Sequence, residues 1–194
     1  MNIPAALLAA VLPAASAADF APPAPREIIA QARAAAAQSA LESFLDNLGD
    51  AVYEGGSGSL TRGAAAYDLT ETRVIVQRKT LHGRPGATLR LSSRAALQAN
   101  PAHVESVGAE LSLEVSDGAL IVLRDGRADA TARLEKAPTA SAVVASYRDA
   151  AYRYQPEVVE TLSLRLQDGA LIVERARVTG GVETERESFT ARRR

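Results

Sequence analysis

The chain has 194 residues, 22 basic against 23 acidic side chains, and neither Cys nor Trp. Without cysteine there is no disulfide framework, thiolate nucleophile, cysteine zinc site or iron–sulfur cluster. The near-neutral balance excludes a generally basic nucleic-acid binder, and the length suits one domain with a normal core.

Residues 3–12 are an apolar run bracketed by Pro4 and Pro13, and Ala15-Ser16-Ala17 follows with the small-x-small spacing of a signal-peptidase site. So short a run does not span the roughly 30 Å of bilayer hydrocarbon as a helix. The expectation is a signal peptide over 1–17, cleaved after Ala17, with no transmembrane segment in the mature chain. Twenty Arg against two Lys, together with 40 Ala, suggest high-GC bacterial coding. The expected location is therefore the bacterial periplasm or the exterior. Ala21-Pro22-Pro23-Ala24-Pro25 makes 18–25 a stiff, extended lead-in to a single domain over 26–190.

Arg26 to Leu48 reads as one helix, with Ile29, Ala32, Ala36, Ala40, Phe44 and Leu48 at three- and four-residue steps and Gly49 as its stop. The period then changes. Gly55-Gly56-Ser57-Gly58-Ser59 is a flexible turn, 60–69 reads as a strand, and Thr72 to Lys79 is a β-branched run. His82 to Gly86 turns the chain again. Ala87, Leu89 and Leu91 then alternate with Thr88, Arg90 and Ser92, as in a strand with one wet face.

The strongest pattern is a repeat. Leu111 to Val122 returns as Leu162 to Val173, at an offset of 51 residues and with nine of twelve positions the same. Each copy has Asp-Gly between alternating segments, the signature of a type I′ hairpin. Two meanders follow, near 109–116, 119–124 and 127–135, and near 159–166, 170–178 and 182–189. Short helices are expected before them, Ser93 to Ala99 and Ser141 to Tyr154, each stopped by a following proline. The fold expected is α+β, an antiparallel meander sheet built from two or three α-then-β repeats (about 93–135 and 141–189, with the N-terminal part a diverged third). The long helix packs on one face of it. Residues 191–194 are read as a basic tail.

Motifs for chemistry are sparse. His82 and His103 sit in loop-like contexts without metal-ligand spacing. Gly58 and Gly63 have the separation of a phosphate loop, but Ala64-Ala65 stands where Lys-Ser/Thr is needed, and Ser57 lacks the second glycine of a nucleophile elbow. Glu183, Glu185 and Glu187 alternate with Thr184, Arg186 and Ser188, which reads as the wet face of an edge strand. No cofactor, metal ligand or catalytic residue is assigned.

Two features point to a surface for a ligand or partner. Ala128, Ala130 and Ala132 thin one face of a strand, either to admit the alanine-rich helix or to floor a groove for a lipid chain or peptide. Tyr147, Tyr152 and Tyr154 cluster nearby in sequence, either rimming such a groove or capping the core. The stretch 49–76, with Tyr53 and Ala66-Tyr67-Asp68-Leu69, resembles the β-rich lipopolysaccharide-transport proteins of the envelope. The likeness covers under a sixth of the chain, carries no diagnostic motif, and yields no assignment.

The reading these features support is an exported, non-enzymatic envelope protein that binds an apolar ligand, an envelope component or a partner protein. The alternatives are a periplasmic hydrolase with an Asp/Glu or Ser site, and a structural subunit that adds strands at a sheet edge.

Overall fold

The computed structural model describes residues 25–124, 130–148 and 157–194. The expected signal segment, Ala128, Tyr152 and Tyr154 lie outside them. The described elements are one helix, α1 (Pro25–Leu48), and eleven strands: β1 (Ala51–Glu54), β2 (Gly58–Arg62), β3 (Ala65–Leu81), β4 (Arg84–Leu97), β5 (Asn100–Ser116), β6 (Ala119–Arg124), β7 (Ala130–Leu134), β8 (Ala142–Arg148), β9 (Val158–Gln167), β10 (Ala170–Thr179) and β11 (Val182–Arg193). No helix among these residues is long and apolar enough to cross a membrane.

The sheet is antiparallel and closes on itself. From β2 to β11 every strand pairs with its neighbour in sequence, and β11 then pairs with both β1 and β2, which also pair with β3. β1 and β2 share one register against β3, from Ala51↔Val76 to Arg62↔Ala65. They are one strand position interrupted at 55–57, so eleven strands make a ring of ten. Gly56 makes the interruption possible, since a Cβ there would stand 1.7 Å from the Thr190 carbonyl oxygen. Ten strands about 4.8 Å apart and tilted by about 40° leave roughly 20 Å between opposing backbones.

Alternation fills that space. Leu89, Leu91, Leu111, Leu113, Leu120, Val122, Leu162, Leu164, Leu171, Val173 and Phe189 are all buried in a single core. The last turns of α1 bury Leu41, Phe44, Leu45 and Leu48 in that core, and the helix closes one end of the ring. Gln38 Oε1 accepts from the Gly118 backbone N–H in the β5–β6 turn, and Asn47 donates to the Ala140 carbonyl. The N-terminal half of α1 overhangs the ring, with Ile28 and Ile29 each 52 % exposed.

Both Asp-Gly hairpins form as expected. Asp117 and Gly118 have φ of 53° and 77°, and Asp168 and Gly169 have 50° and 72°. Other expectations are corrected. Ser93 to Leu97 continue β4 rather than forming a helix, because β3 and β5 flank them and supply both sets of backbone partners. The expected helix from Ser141 is β8 as far as Arg148, paired with β9, and its remainder lies outside the described residues. The α-then-β unit is therefore absent before the first meander, the described part of the segment before the second is strand, and the described residues have one helix, at their start. Residues 60–69 are a hairpin turning at 63–64, not one strand. Ala191 is buried, and Arg192 and Arg193 pair as the end of β11 rather than forming a tail.

Candidate functional site

The inward face changes character along the ring axis. In β10 the buried Leu171 and Val173 are followed, at the same alternation, by Arg175 and Arg177. In β11 the series Ala191, Phe189 continues into Glu187 and Glu185, and in β9 Leu164 and Leu162 lead to Glu160. Strand geometry sends all five charged side chains into the ring. Glu187 belongs to a strand paired on both sides, which overturns the edge-strand reading of 183–187. A bulge at the β10–β11 pairing lets Glu183 escape this series, and it pairs with Arg186.

The register sets these groups side by side. Tyr147 is opposite Glu160, Glu160 opposite Arg177, Arg177 opposite Glu185, and Glu185 opposite Arg62. Signs alternate along this row. Tyr147 Oη donates to Glu160 Oε2 at 2.9 Å, and Arg177 donates to Glu160 Oε1 through Nε at 2.9 Å and Nη2 at 2.6 Å. Arg62 donates to Glu185 at 3.3 Å and to Glu105 at 2.7 Å. One step closer to the leucine core, Arg175 Nη1 donates to Glu187 Oε2 at 2.8 Å, with Leu162 on the other side of Arg175. These two side chains are 11 % and 7 % exposed. Glu160, Arg175, Arg177, Glu185 and Ala176 line a partly open cavity of about 10 Å³, room for about one water.

Of the residues singled out from sequence, two have described side chains. Ala132 is buried in the core, and Tyr147 is buried with its hydroxyl turned inward onto Glu160. The register Arg133↔Ser146 places them on neighbouring positions of the inward face. Ala130 lies in β7, and Ala128, Tyr152 and Tyr154 lie outside the described residues. Glu160, Arg175, Arg177, Glu185, Glu187, Arg62 and Glu105 were missed. Their signal was parity, since several continue the alternation of buried apolar residues on their own strands.

At the helix end, a second cavity of about 230 Å³ is lined by Asn47, Tyr53, Ser141, Asp168 and Arg193 among others. Two of its polar groups, those of Asn47 and Tyr53, bond to backbone carbonyls and so serve the fold. Tyr53 Oη donates to the Leu48 carbonyl, and burial pushes the Tyr53 phenol up against the opposing charge of Arg193. Among the described residues no cluster of His, Asp or Glu is arranged to hold a metal ion. No protein-family model, curated protein or solved structure matches the chain.

Proposed function

We propose that this is an exported, non-enzymatic binding protein of the bacterial envelope, and that the charged layer inside its ring receives the polar part of a small ligand. The observation that carries this reading is the Arg175–Glu187 pair with the alternating row beside it. Desolvating such groups costs several kcal/mol per ion, and well-packed apolar residues would serve the fold as well or better. A buried ion pair is thus weak evidence of a stabilising role, and this supports a role in binding.

Other features support the same reading over its alternatives. The seam where β1 and β2 join β11 to β3 uses the strand edges that a strand-adding subunit would offer there. Each inward carboxylate of the row already accepts from a guanidinium, which suits holding a ligand better than moving protons as a hydrolase would. The apolar run at 3–12 and the Ala15-Ser16-Ala17 pattern support export.

Gentle purification of the full chain followed by native mass spectrometry tests the binding role. A small molecule retained at stoichiometric level supports it; a bound protein in its place supports the subunit. N-terminal sequencing of material from the periplasm should begin at Ala18, and an intact Met1 would sink the export reading.

A further inference from the structure

The charged layer carries a preference as to ligand chemistry, and this step rests on the lumenal binding reading above. We infer that it takes a neutral polyhydroxylated group, a sugar ring or the sugar head of a glycolipid, in preference to an ion. In the row Glu160, Arg177, Glu185, Arg62 each charge has the opposite sign beside it, at the strand spacing of about 4.8 Å. An anion set against Arg177 therefore meets Glu160 and Glu185, and a cation set against Glu185 meets Arg177 and Arg62. A neutral hydroxyl meets no such repulsion, because it both donates and accepts.

Hydrogen-bonding capacity is left over on both sides. Arg175 uses one of its five N–H donors, on Glu187, while its side chain is about nine-tenths buried and lines the small cavity with Glu160, Arg177 and Glu185. Glu185 and Glu187 each accept one side-chain hydrogen bond, from Arg62 and Arg175, although a carboxylate offers about four lone-pair sites. One hydroxyl placed in that cavity, where there is room for about one water, would accept from Arg175 and donate to Glu185 with no change in net charge. The rest of the sugar ring would lie along the more exposed Arg177–Glu185–Arg62 row.

Titration calorimetry of the full chain with methyl β-glucoside, octyl β-glucoside below its micelle concentration, octanoate and octylamine tests this. A glycoside should bind saturably, at least tenfold tighter than either charged amphiphile. Octyl glucoside well ahead of the methyl glycoside identifies a glycolipid head, and parity identifies a free sugar; both support the inference. Arg175→Met with Glu187→Leu, which keeps the site packed without charge, should weaken the glycoside at least tenfold. The outer-face control, Arg165→Gln with Glu174→Gln, should leave it unchanged. Glu187→Gln keeps an acceptor for Arg175 while removing a negative charge. It should hold glycoside binding within about threefold and bring octanoate closer to it. A charged amphiphile that binds tighter than the glycosides and is lost in the double variant overturns the sugar inference and leaves lumenal binding standing. Silence from all four probes, or glycoside binding indifferent to the double variant, overturns the inference at this site.

Discussion

Glu114 points outward from β5 and yet is 2 % exposed, because the β3–β4 turn folds His82 and Arg84 over it. His82 Nδ1 lies 2.9 Å from Oε2, and Arg84 Nη1 donates to Oε1 at 2.9 Å. The His82 hydrogen bond holds the carboxyl below the usual carboxylate range, burial opposes it, and Arg84 adds to the lowering. A carboxyl with a lower pKa in the folded chain stabilises the fold above its unfolded value, near 4.3, and that contribution is lost as pH falls through the folded value. Glu114→Gln should therefore lower the urea midpoint at pH 7, and its gap to the wild type should close below about pH 4. A gap that stays constant from pH 7 to pH 3 would show that the charge does not matter. Gly49 raises a different single-residue question. It ends α1 at φ +59°, and a Cβ there would lie 3.2 Å from Arg193 Nη2. That guanidinium supplies positive charge at the C-terminal end of a helix with no basic residue in its last turn. Gly49→Ala should cost about 1–2 kcal/mol in equilibrium unfolding, from the left-handed backbone that alanine resists, and no loss would refute this account.

At the scale of elements, the hairpins were legible because their signal is local. Asp117-Gly118 and Asp168-Gly169 meet the type I′ requirement within two residues. The segments before the meanders were not, since their local signals conflict. Val143, Tyr147 and Ala151 fall on a helical face, but Val143, Ala145 and Tyr147 also alternate, and pairing with β9 decides for the strand. At Ser93, Ala95 and Leu97, alanine favours a helix until strands on both sides claim the backbone. α1 escaped this competition, as its first half makes little use of the sheet. Its apolar anchoring falls on four side chains, so Phe44→Ala should cost about 3–5 kcal/mol, measured by denaturant unfolding. Ile29→Ala, at an exposed position, should stay within about 0.5 kcal/mol. Equal losses would mean that the helix is held along its whole length.

For the molecule as a whole, closure turns one strand face into an interior, and the charged layer shows what that interior holds besides a core. Its members were illegible from sequence for a physical reason. Alternation shows that Glu183, Glu185 and Glu187 share a parity, but charge suggests water on that side, and only the Leu–Val–Phe series farther along the same strands reveals the parity as inward. If Arg175 and Glu187 serve a ligand rather than the fold, their removal has a distinctive stability pattern. Arg175→Met alone leaves Glu187 buried opposite an apolar side chain and should cost about 3–5 kcal/mol, as broken buried pairs do. Glu187→Leu alone strands the guanidinium and should cost a similar amount, somewhat less because Arg175 reaches the small cavity beside it. The double variant removes both desolvation penalties and extends the apolar core formed by Leu60, Leu162 and Phe189. It should match the wild type or exceed its stability by about 1–4 kcal/mol. Urea unfolding of the four proteins closes the double-substitution cycle. A double variant clearly less stable than the wild type would mean that the pair serves the fold, and the main argument for a binding site inside the ring would fall with it.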